Sequence, residues 1–142
     1  MIAEHGVDMT RFGTAGRFAA SSGVAPGNNE SAGKHHRSGA RKGNPHLKTA
    51  LYTAAVCAAR TKDTYLRDKY HRLKARGGPG RAAGAVAHKI AIAAFHILAT
   101  SQRYRDLGGD YLDKRCEHRT KQRLIRRLEW MGYHVALQPT AQ

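Results

Sequence analysis

Arg81-Ala-Ala-Gly-Ala-Val-Ala-His-Lys-Ile-Ala-Ile-Ala-Ala-Phe-His-Ile-Leu-Ala-Thr100 is the stretch that decides the fold. Val86, Ile90, Ala93, Ala94, Ile97 and Leu98 recur at i, i+4, i+7, i+8, i+11 and i+12, the repeat of one helix face. It is the most apolar helix in the chain and is expected to form the core. His88 and His96 lie two turns apart on it and read as core or interfacial histidines rather than ligands.

Working outward, Gly77-Gly78-Pro79-Gly80 ends the preceding helix. That helix is expected to start at Thr61 or Asp63 and to bury Leu66, Tyr70 and Leu73. Arg67, Lys69, Arg72, Lys74 and Arg76 occupy its other faces and make a basic surface, interrupted by Asp63 and Asp68. Further upstream, Asn44 can cap a helix whose first position is Pro45. Leu47, Ala50, Leu51, Ala54, Ala55 and Ala58 give it an apolar face. Thr14 to Ser21 reads as a short helix with Thr14 as cap and Phe18 as anchor. Ile2-Ala3-Glu4 reads as a helix end stopped by Gly6. Downstream, Tyr104 to Tyr111 is a loop, and Asp113 is expected to cap a last helix, Lys114 to Met131, stopped by Gly132. Tyr133, Val135 and Leu137 alternate and could form a short strand before a frayed tail. The expected class is mostly α: a single helical domain of about four to six helices packed around Ala82 to Leu98. It carries a long Gly-rich basic loop near the N-terminus.

Composition narrows the function. The chain has 142 residues, enough for one domain, and 41% of them are apolar, many of these being alanine. Lys and Arg number 25 against 10 Asp and Glu, a formal charge of +15. That excess calls for a polyanionic partner, usually nucleic acid, with an acidic membrane surface as the rival. No apolar run approaches the roughly 20 residues needed to span a bilayer. No basic region followed by an apolar stretch marks a secretory leader. The expected location is cytoplasmic, without a membrane partner. Cys57 and Cys116 stand apart, without CxxC spacing, and read as one buried and one surface thiol in a reducing compartment. Cys116-Glu117-His118 lacks the second ligand pair that zinc needs. Asp106, Asp110 and Asp113 come nearest to a carboxylate cluster, but Gly108-Gly109 interrupts them, so they read as loop and cap residues. No metal site is expected in this chain.

The chemistry concentrates in Ser22 to Asn44. Gly23, Pro26, Gly27, Gly33, Gly39 and Gly43 exclude a regular helix or strand across most of it. It carries Lys34, His35, His36, Arg37, Arg41 and Lys42, with Glu30 as its one acid. Glycines let backbone amides approach a phosphate and the cations can neutralise it. Ser31, between flexible positions, could then serve as a nucleophile. A basic, solvated loop fits the composition as well. No Gly-x-Ser-x-Gly elbow surrounds Ser31, which excludes an α/β-hydrolase. His35 and His36 fit a base or a phosphate contact equally. Lys48 continues the basic run into the next helix, and Arg119, Arg123, Arg126 and Arg127 mark the last helix as a phosphate-contacting one.

Phe18-Ala19-Ala20, the run from Gly23 to Lys34, Arg41-Lys42-Gly43-Asn44 and Leu47 together resemble one transposase family. The likeness continues through Ala54 to Lys62, Tyr65, Tyr70, His88, Tyr104 to Leu107, Tyr111 and Leu128 to Tyr133. The family is the bridge-RNA-guided, DEDD-plus-serine transposases, the "one-ten" insertion-sequence family. The usual motif has Ser-Gly; here Ala32 follows Ser31 and Gly33 comes one later. The resemblance implies that Ser31 is a catalytic nucleophile that attacks a DNA phosphate. It implies that residues 1–142 are the C-terminal, serine-containing domain, truncated of a preceding RNase-H-like acidic domain. Mg²⁺ is expected in that acidic domain and no cofactor in this chain, which alone is expected to be inactive. The implied partners are DNA, a structured guide RNA and, in the intact protein, further copies of itself. The alternative reading is a non-catalytic, basic nucleic-acid-binding fragment.

Overall fold

The computed structural model describes residues 2–27, 30–31, 33–35 and 42–138. In chain order these form α1 (Ile2–His5), a 3-10 turn (Thr10–Phe12), α2 (Ala15–Ser21), β1 (Glu30–Ser31), β2 (Lys34–His35), α3 (Pro45–Ala58), α4 (Tyr65–Thr100), α5 (Tyr111–Arg115) and α6 (Glu117–Trp130). The domain is mostly α, as expected, and α4 is its axis.

Local signals set most helix ends. The Thr14 hydroxyl accepts the Arg17 amide at 3.3 Å and starts α2. The Asn44 side chain accepts the Leu47 amide at 3.0 Å, with Pro45 at the first position of α3. Each such cap satisfies one amide that the helix cannot. The start of α4 differs from the expectation. Thr64 is its cap, accepting from the Arg67 amide at 3.4 Å, whereas Asp63 sits in the left-handed region and the Thr61 hydroxyl turns back to the Cys57 carbonyl. The break expected at the Gly-Gly-Pro-Gly run appears as a kink. Gly78, at φ 81° and ψ 169°, leaves helical geometry, and the chain resumes its helix from Pro79.

The core lies where α2 and α3 pack on the second half of α4. Phe18 is fully buried, its ring 5.1 Å from Phe12, 5.4 Å from His5 and 5.9 Å from Phe95. Burying one such side chain contributes about 1.5–3 kcal/mol. Leu47, Leu51 and Ala55 of α3 meet Val86, Ala87 and Ala91 of α4. Tyr52 closes over Gly84, where an added methyl would come within 2.9 Å of the phenol oxygen. The buried face of α4 is therefore Ala82, Ala83, Val86, Ala87, Ala91 and Phe95. Of the expected stripe, Val86 is buried, Ile90 and Leu98 pack beside the core, and Ile97 is exposed. The helix is apolar on several faces, so its neighbours decide the phase. On α3, Ala50 and Ala54 likewise face solvent.

An 18-residue window of α4 reaches a mean hydropathy of 1.6, long and apolar enough to cross a membrane by length and composition. This corrects the expectation that no run approaches that size. A third of the window is buried, and much of the remainder lines an open groove of about 540 Å³ with Tyr65, Leu66, Tyr104 and Leu107.

The C-terminal third departs further. Asp113 does not cap the last helix; it lies inside α5 and accepts from Arg72 at 2.5 Å. The expected helix is divided at Cys116, where φ −115° and ψ 24° separate α5 from α6. Gly132, at φ 90°, ends the helical run as expected. Tyr133, Val135 and Leu137 form no strand, because no partner strand lies alongside residues 133–138. Both cysteines are exposed, which corrects the buried thiol.

Candidate nucleic-acid interface

The loop from Ser22 to Asn44 is closed at its base. The Asn44 amide donates to the Ser21 carbonyl at 3.0 Å, and the Asn44 side chain also donates to Glu4. Gly23, at φ 69°, lies against Gly43. A methyl on Gly43 would collide with the Gly23 nitrogen and stand 2.5 Å from its Cα and 2.7 Å from the Ser21 carbonyl oxygen. The Ser22 hydroxyl donates to the Phe18 carbonyl at 2.8 Å, fixing the outgoing end to α2. The Lys48 stem reaches the same point, with its Cδ 3.4 Å from where a Gly23 side chain would begin.

Within the loop the chain folds back on itself. β1 and β2 pair antiparallel, with Glu30 opposite His35 and Ser31 opposite Lys34. Gly33, at φ 74°, makes the turn. The one-residue displacement of glycine relative to the Ser-Gly motif thus puts it at a left-handed position. This small hairpin is a departure from an irregular loop, and Pro26 also forms a β-bridge. His36, Arg37 and Arg41 lie outside the described residues. Lys42 is exposed in the irregular segment that leads into α3.

A second basic site sits at the other end of α4. The first half of α4 faces α5 and α6 across a cleft of about 850 Å³. Arg119 and Arg123 line it from α6, and Lys69 and Arg76 line it from α4. Arg126 and Arg127 are exposed further along α6. Arg72 ties the two walls together through Asp113 of α5, and its Nε also bonds Asp68, one turn earlier on α4, at 2.7 Å. The hydrogen bond that Arg72 donates to Asp113 leads the causes that hold its guanidinium above the ordinary pKa. The sequence marks Arg119 and Arg123 as phosphate contacts and shows Lys69 and Arg76 only as members of a separate basic surface. Nothing local marks those two apart from Arg67 or Lys74; only the fold brings them opposite α6.

The acidic residues are committed elsewhere. Asp106 accepts the Tyr65 amide at 3.1 Å, the Gly108 amide at 2.7 Å and the Tyr104 hydroxyl at 3.1 Å. Burial opposes its charge, but these donors outweigh it and hold its pKa below the ordinary value. The Tyr104 phenol is pushed up to about 12 by burial and by Asp106. Asp110 pairs with Lys114, and Glu117 pairs with Lys121 at 2.6 Å. The reading of Asp106 as a loop residue is thus met by its bonds. Among the described residues no group of three or more His, Cys, Asp or Glu could hold a metal ion. His88 is half-buried, and burial, with Lys89 and Lys69, lowers its pKa. His96 is exposed, which leaves it outside the core and keeps only the interfacial half of its reading.

A family model described as "Transposase IS116/IS110/IS902 family" matches residues 1–71, half of the 142-residue chain, and the chain belongs to that family. The matched span runs from α1 into the first half of α4 and contains the whole Ser31 loop. No curated protein and no solved structure matches the chain.

Proposed function

We propose that this chain carries the serine nucleophile of a DNA transposase and holds its DNA through phosphates. The observation that supports the reading is the family match across the Ser31 loop, in a structure where that loop is closed at its neck by Gly23 and Gly43. A closed neck limits how far the hairpin can wander, and a nucleophile gains rate from restricted approach.

In the reaction, the Ser31 oxygen forms a bond to a DNA phosphorus as the bond from phosphorus to the leaving strand breaks. The serine proton passes to a base and the leaving oxygen takes up a proton. The product is a phosphoserine link, and a strand hydroxyl later reverses the attack to join new DNA. Negative charge grows on the phosphate in the transition state, and Lys34, whose backbone pairs with that of Ser31 in the hairpin, is a cation of the same loop. Arg37, Arg41 and Lys42 extend the cationic loop. A divalent metal comes, in this reading, from the acidic domain of the family. A structured guide RNA and further copies of the chain complete the assembly.

The covalent link is the direct test. The chain, supplied with the acidic domain of a family member, its guide RNA and end-labelled target DNA, is denatured after reaction. Label that migrates with the protein, and is absent with Ser31→Ala, upholds the reading. Equal labelling of Ser31→Ala overturns it and favours the non-catalytic binder.

A further inference from the structure

Helix α6 lies outside the matched residues 1–71 and carries a row of arginines. Arg119, Arg123, Arg126, Arg127 and Trp130 recur at i, i+4, i+7, i+8 and i+11, which sets them on one face. Lys121 pairs with Glu117 on another face. The four arginines have no carboxylate partner among the described residues. Trp130 is 89% exposed at the end of this arginine row. An indole of that size in water is costly, and its place is informative. The apolar residues Leu124, Leu128 and Met131 form a neighbouring face, at i, i+4 and i+7. Trp130 belongs with the arginines instead.

We propose that this face binds single-stranded DNA, with the arginines on successive phosphates and Trp130 stacked on an unpaired base. Charge complementarity supports a polyanion: the chain carries +15, and Lys69 and Arg76 face Arg119 and Arg123 across the cleft where the row begins. From Arg119 to Trp130 the helix rises about 16 Å, room for a short run of nucleotides. Arginine rows alone suit duplex as well as single strand. The tryptophan decides between them, because every base offers a stacking face and a paired base within a duplex hides it. The choice of DNA rests on the transposase reading, since strand exchange must open a duplex.

Trp130 is the one tryptophan of the chain, so its fluorescence reports on this site alone. The full chain is titrated with oligo(dT) of about 12 nucleotides, with oligo(U) of equal length and with a blunt duplex, following fluorescence and anisotropy together. Oligo(dT) is expected to quench Trp130 strongly, and the duplex to bind with little quenching. Trp130→Ala is expected to weaken oligo(dT) binding about tenfold and duplex binding less than twofold. The exposed side chain makes this substitution safe for folding, and helical circular dichroism checks it. Binding of oligo(dT) without quenching, or an unchanged affinity in Trp130→Ala, overturns the site. Quenching by oligo(U) alone overturns its assignment to DNA. None of these readouts depends on Ser31, so a failed covalent link leaves this result standing.

Discussion

Gly43 lies with its Cα against the backbone of Gly23, 20 residues earlier in the chain, and the contact leaves no room for a side chain on Gly43. This is why the basic loop leaves α2 and enters α3 at one point. The outgoing Gly23 needs its positive φ to turn there, while Gly43 needs only the missing Cβ.

Gly43→Ala should therefore cost about 1–3 kcal/mol, read as a Tm several degrees lower. Gly16→Ala is the contrast. Gly16 lies within α2 with nothing within 4 Å of an added Cβ. That substitution should leave stability unchanged or raise it by up to about 1 kcal/mol. Thermal melts of both variants check the pair; equal effects would mean the loop neck is not tight.

Salt should weaken nucleic-acid binding steeply. Log affinity for duplex DNA should fall with log salt by about 0.9 per phosphate contact. Arg123→Ala and Arg126→Ala should each reduce that slope by about 1. Lys121→Ala should reduce it less, because Glu117 at 2.6 Å already neutralises its ammonium. Anisotropy titrations at several salt concentrations measure all three; a flat dependence would remove the phosphate account.

Asp106 joins the 101–110 segment to the first amide of α4, and its pKa is lower in the folded chain. Its contribution to stability is thus present above the unfolded carboxylate value of about 3.9. It is lost as pH falls through the lower folded value. Asp106→Asn should flatten the acid limb of stability below about pH 4 and leave its shape between neutrality and that point unchanged. Melting temperature against pH reads this directly, and an acid limb identical to the parent would show that the three hydrogen bonds to Asp106 carry no linkage.

Much of the fold was legible because its signals are local. Thr14, the Asn44-Pro45 pair and Gly132 each mark a helix end through a hydrogen bond or a backbone angle decided within three residues. The burial phase of α4 was not legible. Ala91 and Phe95 are buried and Ile97 is exposed because α2 and α3 choose one side of a helix that is apolar on several. Asp113 looked like a cap because its partner, Arg72, stands 41 residues away. The loop was legible as a glycine-rich, basic stretch from its composition. Its closure was not, since the Gly23 contact with Gly43 is a long-range one. The cleft cations Lys69 and Arg76 have the same limit: sequence shows charge, and only packing shows what faces what.

The central claim is that Ser31 is the nucleophile, and strand transfer by Ser31→Ala tests it most directly. The substitution removes one hydroxyl and leaves Lys34, Arg37, Arg41 and Lys42 in place. With the acidic domain of a family member and its guide RNA supplied, strand transfer and DNA affinity are measured in the same preparation. The account predicts that strand transfer vanishes while affinity changes less than tenfold, about 1.4 kcal/mol. Arg41→Ala should instead weaken binding and its salt slope together. Ser38→Ala, seven residues along the same loop, should retain strand transfer. Strand transfer by Ser31→Ala at a rate near the parent would contradict the account and make Ser31 an ordinary loop residue.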